Sequence, residues 1–570
     1  MTSFKAFLVG AAGAAANLAY RGDTGEQAPA PPSDIGLVRF GLSASAVCDG
    51  NIPNAQPPTG GNWLGWGAGI YNNRWAASDA TLSTKNIANL TKVCSVKYTG
   101  GGQSATPLVT GGIAYYPTFT GLLVALDYQT CTEVWSANIT RIIDDFRPGA
   151  GNSKVSRTTP VLDKGGDVLF IGTLAHALVL AIDRRSGKLI DSLQLDDHPL
   201  AILTQSQTFY DGRLYAGVSS TESYAVAPGR PCCSFSGSFH AVSLVGGKLR
   251  KEWTVQTLPK TSPANANLSG AAVWGSQPSI DPIRRQVFFG TGQLYHMPPS
   301  FEDCVKRTAN ISIMQQGLTG RDPCLPVETY QDSILAVDLE TGRINWARQF
   351  GQLDVWNTGC GASGFPRVPE ACPETPGPDA DFGMAPTFVR GSPATPAGQD
   401  IIVAGQKSGM LYALYAQTGT IAWSKSAGPG GTEGGLTWGM AVDDKAVYFT
   451  NFNSARKPFP MLDGQVITNS AWGAASLEDG RILWLTPVPN NQSSRVPPTV
   501  VNDVVLTGTR GDTADGPGFL TPLDKNTGKV LREIEVDPVF RGGVAAVHDF
   551  ILFGNGYSVN LPGSFNVWKV

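Results

Sequence analysis

Cys232 and Cys233 are adjacent, and neighbouring thiols can close only into a small, flat, strained ring. Further on, Asp332 opens the apolar run Ser333-Ile334-Leu335-Ala336-Val337-Asp338. A carboxylate at the mouth of such a strand can serve as a general base if the strand faces a channel, which makes Asp332 the first choice for that role. Other familiar chemistries lack their residues. His176, His198, His240, His296 and His548 have no metal-ligand spacing, so zinc hydrolysis has no support. No Gly-x-Ser-x-Gly elbow is present, and no Gly-x-Gly-x-x-Gly opens a helix after a strand.

The elements that must position these residues are announced by a repeated phrase: an apolar strand, an Asp, a turn, a second strand, often a Trp. It reads Val124-Ala125-Leu126-Asp127 with Trp135, Leu180-Ala181-Ile182-Asp183 with Gly187, and Leu335-Ala336-Val337-Asp338 with Gly342 and Trp346. It returns as Tyr412-Ala413-Leu414-Tyr415 with Gly419 and Trp423, and more weakly near residues 243, 476 and 524. Asp followed by Thr-Gly suits a tight turn, and the Trp can fill space between neighbouring units. Four short strands make a blade, and blades must stack radially to share cores. The fold is therefore expected to be all-β: a single eight-bladed β-propeller of four-stranded antiparallel blades, with seven blades as the alternative. The eighth blade would close the ring with Asn62–Trp66 from one end and Phe565–Trp568 from the other.

Composition narrows the setting. In 570 residues only 16% are charged, with 67 Gly and 40 Pro and a net charge of −3. No basic stripe exists for nucleic acid, and no apolar run reaches the ~20 residues of a membrane span. Residues 1–19 read as a secretory signal peptide and 20–40 as a flexible leader, leaving 41–570 for the propeller. Sequons at Asn89, Asn138, Asn267, Asn310 and Asn491 would be glycosylated in a eukaryotic secretory pathway. Export, with residence outside the cell or in the secretory lumen, is the expectation, and a monomer is expected. Among nine cysteines, Cys94 could pair with Cys131, Cys304 with Cys324 and Cys360 with Cys372, leaving Cys48 odd. The last two pairs lie in insertions at 294–331 and 351–385, which would shape a pocket over the channel.

Several phrases together resemble a known family. Gly270-Ala271-Ala272-Val273-Trp274-Gly275-Ser276-Gln277-Pro278, followed by Val287-Phe288-Phe289-Gly290-Thr291-Gly292, looks like the quinoprotein alcohol dehydrogenases. Pro231-Cys232-Cys233-Ser234-Phe235, Asp332–Asp338 and Gly434-Gly435-Leu436-Thr437-Trp438-Gly439 look like their polyvinyl-alcohol-dehydrogenase branch. The resemblance spans about residues 60–570. It implies pyrroloquinoline quinone (PQQ) and Ca²⁺ on the channel axis, the quinone carrying the redox chemistry and the protein supplying stacking, charge and a base. By motif position, Trp274 would be the indole floor beneath the quinone, its alternative being a blade-core Trp. Lys407 would be the cation beside the quinone oxygens, and Trp438 would line the same pocket. Glu222 would be the carboxylate ligand of Ca²⁺, with Gln293 where the family has Asn. Cys232–Cys233 would lie over the cofactor, although the pair follows Glu222 here instead of preceding it. The methanol-dehydrogenase branch makes Glu328 a competitor to Asp332 as base.

Three functions follow as expectations. The first is a secreted oxidoreductase acting on the alcohol group of a small organic substrate, with a separate electron acceptor. The second is a cofactor-free relative performing a cyclisation or coupling on a natural product of secondary metabolism. The third is a non-catalytic binding propeller.

Overall fold

A computed structural model describes residues 60–570 apart from 150–151, 231, 261–266, 309–323, 352, 362–364, 512–516 and 558–561. The expected signal peptide, the leader, Cys48 and the sequon at Asn310 lie outside the described residues. The ring has eight four-stranded antiparallel blades, so the eight-bladed expectation holds over the seven-bladed one. The first blade runs Leu108–Thr110, Ile113–Pro117, Leu122–Asp127 and Thr132–Asn138 from the axis outwards. Six more follow at 161–194, 201–256, 279–349, 387–426, 435–487 and 499–536.

The repeat residues do what their chemistry suggests. Oδ1 of Asp338 accepts from the amides of Glu340 and Thr341 and from the Thr341 hydroxyl, and Asp524 does the same at Asn526 and Thr527. Each repeat Trp reaches the next blade. Trp135 donates to the carbonyl of Arg184, Trp253 to Leu339, Trp346 to Ala416, Trp423 to Leu477 and Trp484 to Lys525, all within 2.8–3.1 Å. The indole lies on the turn glycine of that next blade. At Gly419, with φ +69°, a Cβ would sit 2.4 Å from the Trp346 ring, so two independent constraints demand glycine. In the second blade Asp191 takes the Trp position opposite Ala181 and accepts from the amide of Leu249 in the third.

Ring closure departs from the expectation at one end. The last blade takes Ala545–Val547, Phe550–Asn555 and Gly563–Lys569 from the C-terminus, and its outer strand is Thr91–Tyr98. Cys94 in that strand is disulfide-bonded to Cys131 in the first blade, tying the joint. Asn62–Trp66 is not a blade strand. It belongs to a segment crossing the ring, in which Trp63 bridges Val109 and Trp75 bridges Val500. Arg74 anchors that segment, with no exposed surface. Its guanidinium lies near the Trp63 and Trp66 rings and donates to the carbonyls of Trp66, Pro498 and Val544 and the hydroxyls of Thr106 and Thr499. Such a fully hydrogen-bonded cation is better served at a blade junction than in a strand, and burial lowers its pKa to about 9.

Both insertions contain their expected disulfides, Cys304–Cys324 and Cys360–Cys372. The first also holds the helix Pro299–Thr308. No helix among the described residues is long and apolar enough to cross a membrane.

Candidate active site

The fourth and fifth blades and the insertion between them bring five ionisable side chains into one buried cluster. Lys407 follows the strand Ile401–Gly405, and its ammonium lies 3.1 Å from Asp379 and 2.8 Å from Asp381. Asp379 and Asp381 come from the 351–385 insertion, as does Asp354, which accepts from the amides of Asp379 and Ala380 at 3.1 and 2.6 Å. Asp332 precedes the strand Ser333–Asp338 with a positive φ of 40°, held by its amide on the carbonyl of Gly292.

Electrostatics divide the acids. Burial is the largest influence on Asp332 and, with the charges of Asp354 and Asp381, pushes its carboxyl well above the usual range. Burial likewise raises Asp379, with Lys407 opposing incompletely. For Asp354 burial raises the pKa while the two amides lower it, and the result is about 6. Lys407 is opposed by burial, but Asp379 and Asp381 outweigh it and hold the ammonium charged. Asp332 and Asp354 form a hydrogen-bonded pair, and the two must titrate together. Oδ1 of Asp332 has no hydrogen-bond partner among the described residues.

Trp274 stands against this cluster. Its Nε1 donates to Asp381 at 2.5 Å, whereas the repeat tryptophans all donate to main-chain carbonyls. Lys407 lies 5.3 Å from the centre of its ring, and Trp438 meets it edge-on at 5.6 Å. Gly383 permits the approach, because a Cβ there would come 2.8 Å from the indole. Trp274 therefore stands beside the buried charge cluster, whereas the repeat indoles reach the main chain of the next blade. Cys233, disulfide-bonded to Cys232, packs with Trp274 against the same apolar core between the second and third blades.

Other expected residues fall elsewhere. Glu328 is exposed on a surface turn and is not among the buried acids. Glu222 is committed locally: its oxygens accept from the amides of Ser234 and Phe235 at 2.8–3.1 Å, and His198 lies 3.5 Å away. Burial opposes its ionisation, but His198 and the two amides prevail and lower its pKa. Gln293 is buried, with its amide nitrogen donating to the carbonyl of Trp356 at 3.4 Å. Among the described residues no three His, Cys, Asp or Glu side chains converge as a metal site. The calcium expectation thus does not fit: its ligand is satisfied by main-chain amides, and Lys407 occupies the space between the two carboxylates that could take a cation.

Asp354, Asp379 and Asp381 belong to none of the phrases that resemble the family; they lie in the 351–385 insertion, where Pro378-Asp379-Ala380-Asp381-Phe382 is the available signal.

The eight four-stranded blades define the class of the fold, an all-β eight-bladed propeller. The family model described as outer membrane protein assembly factor BamB, PQQ_2, matches residues 76–348 and 331–549, and the chain belongs to that family. A polyvinylalcohol dehydrogenase from a Pseudomonas species is 28% identical over 456 residues, covering 78% of this chain and 62% of that protein. The polyvinylalcohol dehydrogenase of Sphingopyxis sp. (strain 113P3) is 28% identical over 399 residues, covering 68% and 54%. The chain thus spans less than two thirds of the length of either relative. Among solved structures, the quinohemoprotein alcohol dehydrogenase from Comamonas testosteroni superposes with a TM-score of 0.60 at 15% identity, covering 89% of this chain and 80% of that one.

Proposed function

We propose that the chain is an exported oxidoreductase that oxidises an alcohol group of a small organic substrate with PQQ as its oxidant and a separate protein or dye as final electron acceptor. The observation that carries this is the buried Lys407 ammonium set on the face of Trp274 beside acids of raised pKa. An indole, a permanent cation and a carboxyl with a free oxygen suit a planar, electron-accepting quinone. Trp274, Trp438 and Lys407 would hold it, with the Cys232–Cys233 ring on the neighbouring wall. When bound, the quinone would accept the two electrons and the hydrogen of the alcohol C–H bond.

The chain's own contribution is charge and proton handling. Lys407 places a fixed positive charge where negative charge grows, in a site that excludes water, where such a charge is worth most. Asp332 and Asp354 titrate as a pair, Asp332 raised by burial and by the charges of Asp354 and Asp381, and Asp354 raised by burial to about 6, so the pair can hold a proton where a solvated carboxyl would not. The pair, and not Asp332 alone, is the base, and it takes the hydroxyl proton of the alcohol. No step involves calcium, for the reasons of donor chemistry given above. Four disulfides suit the oxidising route of export that the N-terminal sequence suggests.

The test is titration of the purified protein with PQQ, read by quinone absorbance and tryptophan quenching, then by alcohol-dependent dye reduction. Saturable binding that Trp274→Ala weakens at least tenfold, with unfolding temperature little changed, is the expected result. Failure to bind at saturating quinone overturns the redox reading and leaves the non-redox alternative.

A further inference from the structure

Glu222 and His198 lie beside the candidate site but take no part in the charge and proton handling assigned to it. Glu222 opens the single turn Glu222–Tyr224, and the chain on both sides of its side chain is tied down. The amide of Thr221 donates to the carbonyl of Leu200 at 3.0 Å, and the carbonyl of Ser223 accepts from the amide and the hydroxyl of Thr358, each at 2.9 Å. The 351–385 insertion, which carries the buried aspartates, thus helps to fix where the Glu222 side chain starts.

The carboxylate ends on the two residues that follow the vicinal cysteines. Oε1 accepts from the Ser234 amide at 2.9 Å and from the Ser234 hydroxyl at 3.2 Å, and Oε2 accepts from the Phe235 amide at 2.8 Å. His198 completes the set. Its Nδ1 accepts from the amide of Leu200 at 3.2 Å, which leaves the hydrogen on Nε2, 3.1 Å from the Ser234 hydroxyl and 3.5 Å from Glu222. The donors therefore run in one direction, from Leu200 through His198 and Ser234 to Glu222. That order excludes a hydrolytic triad, in which the imidazole must accept the serine proton. It suits a clamp instead, because hydrogen bonds to a charged acceptor are roughly twice as strong as neutral ones.

What is clamped borders the site. Phe235 is buried and meets His198 edge-on at 5.6 Å, and its carbonyl accepts from the amide of Gly270, four residues before Trp274. Cys233 and Trp274 pack against the same apolar core as Phe235. The side chains of His198 and Glu222 are only 17% and 12% exposed, so water competes little for their bonds.

We infer that Glu222 and His198 are positioning residues that hold the Cys232–Cys233 ring on the wall beside Trp274, with Glu222 clamping main-chain amides where the family resemblance would place a metal ligand. The use of that wall rests on the quinone reading, whereas the clamp itself requires neither quinone nor metal.

The folded, quinone-free protein is treated with a phosphine reductant. Opening of Cys232–Cys233 is followed by alkylation and mass spectrometry, with Cys94–Cys131 and Cys360–Cys372 in the same molecules as controls. Gln at position 222 offers one oxygen and one nitrogen, which cannot face two main-chain donors as two carboxylate oxygens do. Glu222→Gln should therefore speed opening of the vicinal pair about tenfold and leave the controls unchanged. Glu222→Asp, which keeps the charge and both oxygens, should recover part of the parent rate. His198→Phe keeps a ring against Phe235 but loses the donor. It should speed opening about threefold, and it supplies a second reading if Glu222→Gln does not fold. In titrations with PQQ, Glu222→Gln should weaken binding, but not further in protein that already carries Cys232→Ala and Cys233→Ala. Unchanged opening of the vicinal pair in both position variants, or equal acceleration of all three disulfides, overturns the inference. An equal loss of PQQ affinity with and without the cysteines overturns it too, by giving Glu222 a direct contact. Selective opening in a protein that binds no PQQ upholds the clamp and refutes the redox reading alone.

Discussion

Replacing Lys407 by Met removes the only cation among the described residues paired with Asp379 and Asp381, whose side chains are 1% and 2% exposed. Breaking a buried pair from one side costs about 3–5 kcal/mol, because the remaining charge is left without a partner in a medium that solvates it poorly. A ring of about 510 residues that melts as one unit has an unfolding entropy near 1 kcal/mol per degree, so the expected loss is about 3–5 °C at neutral pH. The pH dependence is the sharper signature. The folded-state pKa of Asp379 already lies above its unfolded value with Lys407 present, and without Lys407 it must rise further. Carboxyls with raised pKa make the native state hold more protons than the unfolded one, so stability falls as pH rises through the range between the two values. Each such proton contributes up to about 1.4 kcal/mol per pH unit. The deficit of Lys407→Met against the parent should therefore be largest at pH 8 and shrink towards pH 5, as Asp379 takes up its proton. Adding Asp379→Asn should restore part of the loss at pH 8. Thermal unfolding across that range measures all of this. A deficit of equal size at both ends, or none at pH 8, would refute the assignment of this lysine as the neutralising charge.

Asp354→Asn should remove the rising limb near pH 6 from the pH profile of kcat/KM, and a surviving limb would place the base elsewhere. Cys131→Ser opens a link between residues 37 apart in sequence, worth about 4 kcal/mol in chain entropy, so it should lower the unfolding temperature by about 4 °C under non-reducing conditions. Gly419→Ala meets both a positive φ and the Trp346 ring at 2.4 Å, whereas Gly212→Ala, with φ +82°, meets no atom within 4 Å. The second should lose only the ~1–2 kcal/mol of the backbone, and equal losses in the two would refute the indole-on-glycine account. Millimolar Ca²⁺ should leave the unfolding temperature unchanged, and a rise of several degrees would reveal a calcium site.

The ring was legible because its determinants are local and repeated. Asp338, Gly342 and Trp346 sit within nine residues of one another, and each makes a contact that short-range chemistry can foresee. Closure was misread at one end because Asn62–Trp66 looks like an aromatic strand, while its partner Arg74 gives no sign in the sequence that it will hydrogen-bond to three blades. The site was half legible. Trp274, Lys407 and Asp332 belong to recognisable phrases, and the fold brings all three to one cluster. Asp354 and Asp379 were not, because what distinguishes them is burial beside one another across a folded insertion. Glu328 and Asp332 are four residues apart and look equivalent on paper, yet one is exposed and the other is 1% exposed.

The same distinction explains why position in a motif is a poor guide to Glu222. Its offset resembles that of a metal ligand, but a carboxylate does what its neighbours leave it free to do. Here the amides of Ser234 and Phe235, immediately after the vicinal cysteines, turn towards it and use its oxygens. The positive charge that this half of the axis requires is supplied instead by Lys407, held by two aspartates that no motif contains. Across Trp438, Arg157 and Arg541 line a cavity with no carboxylate among its described lining residues.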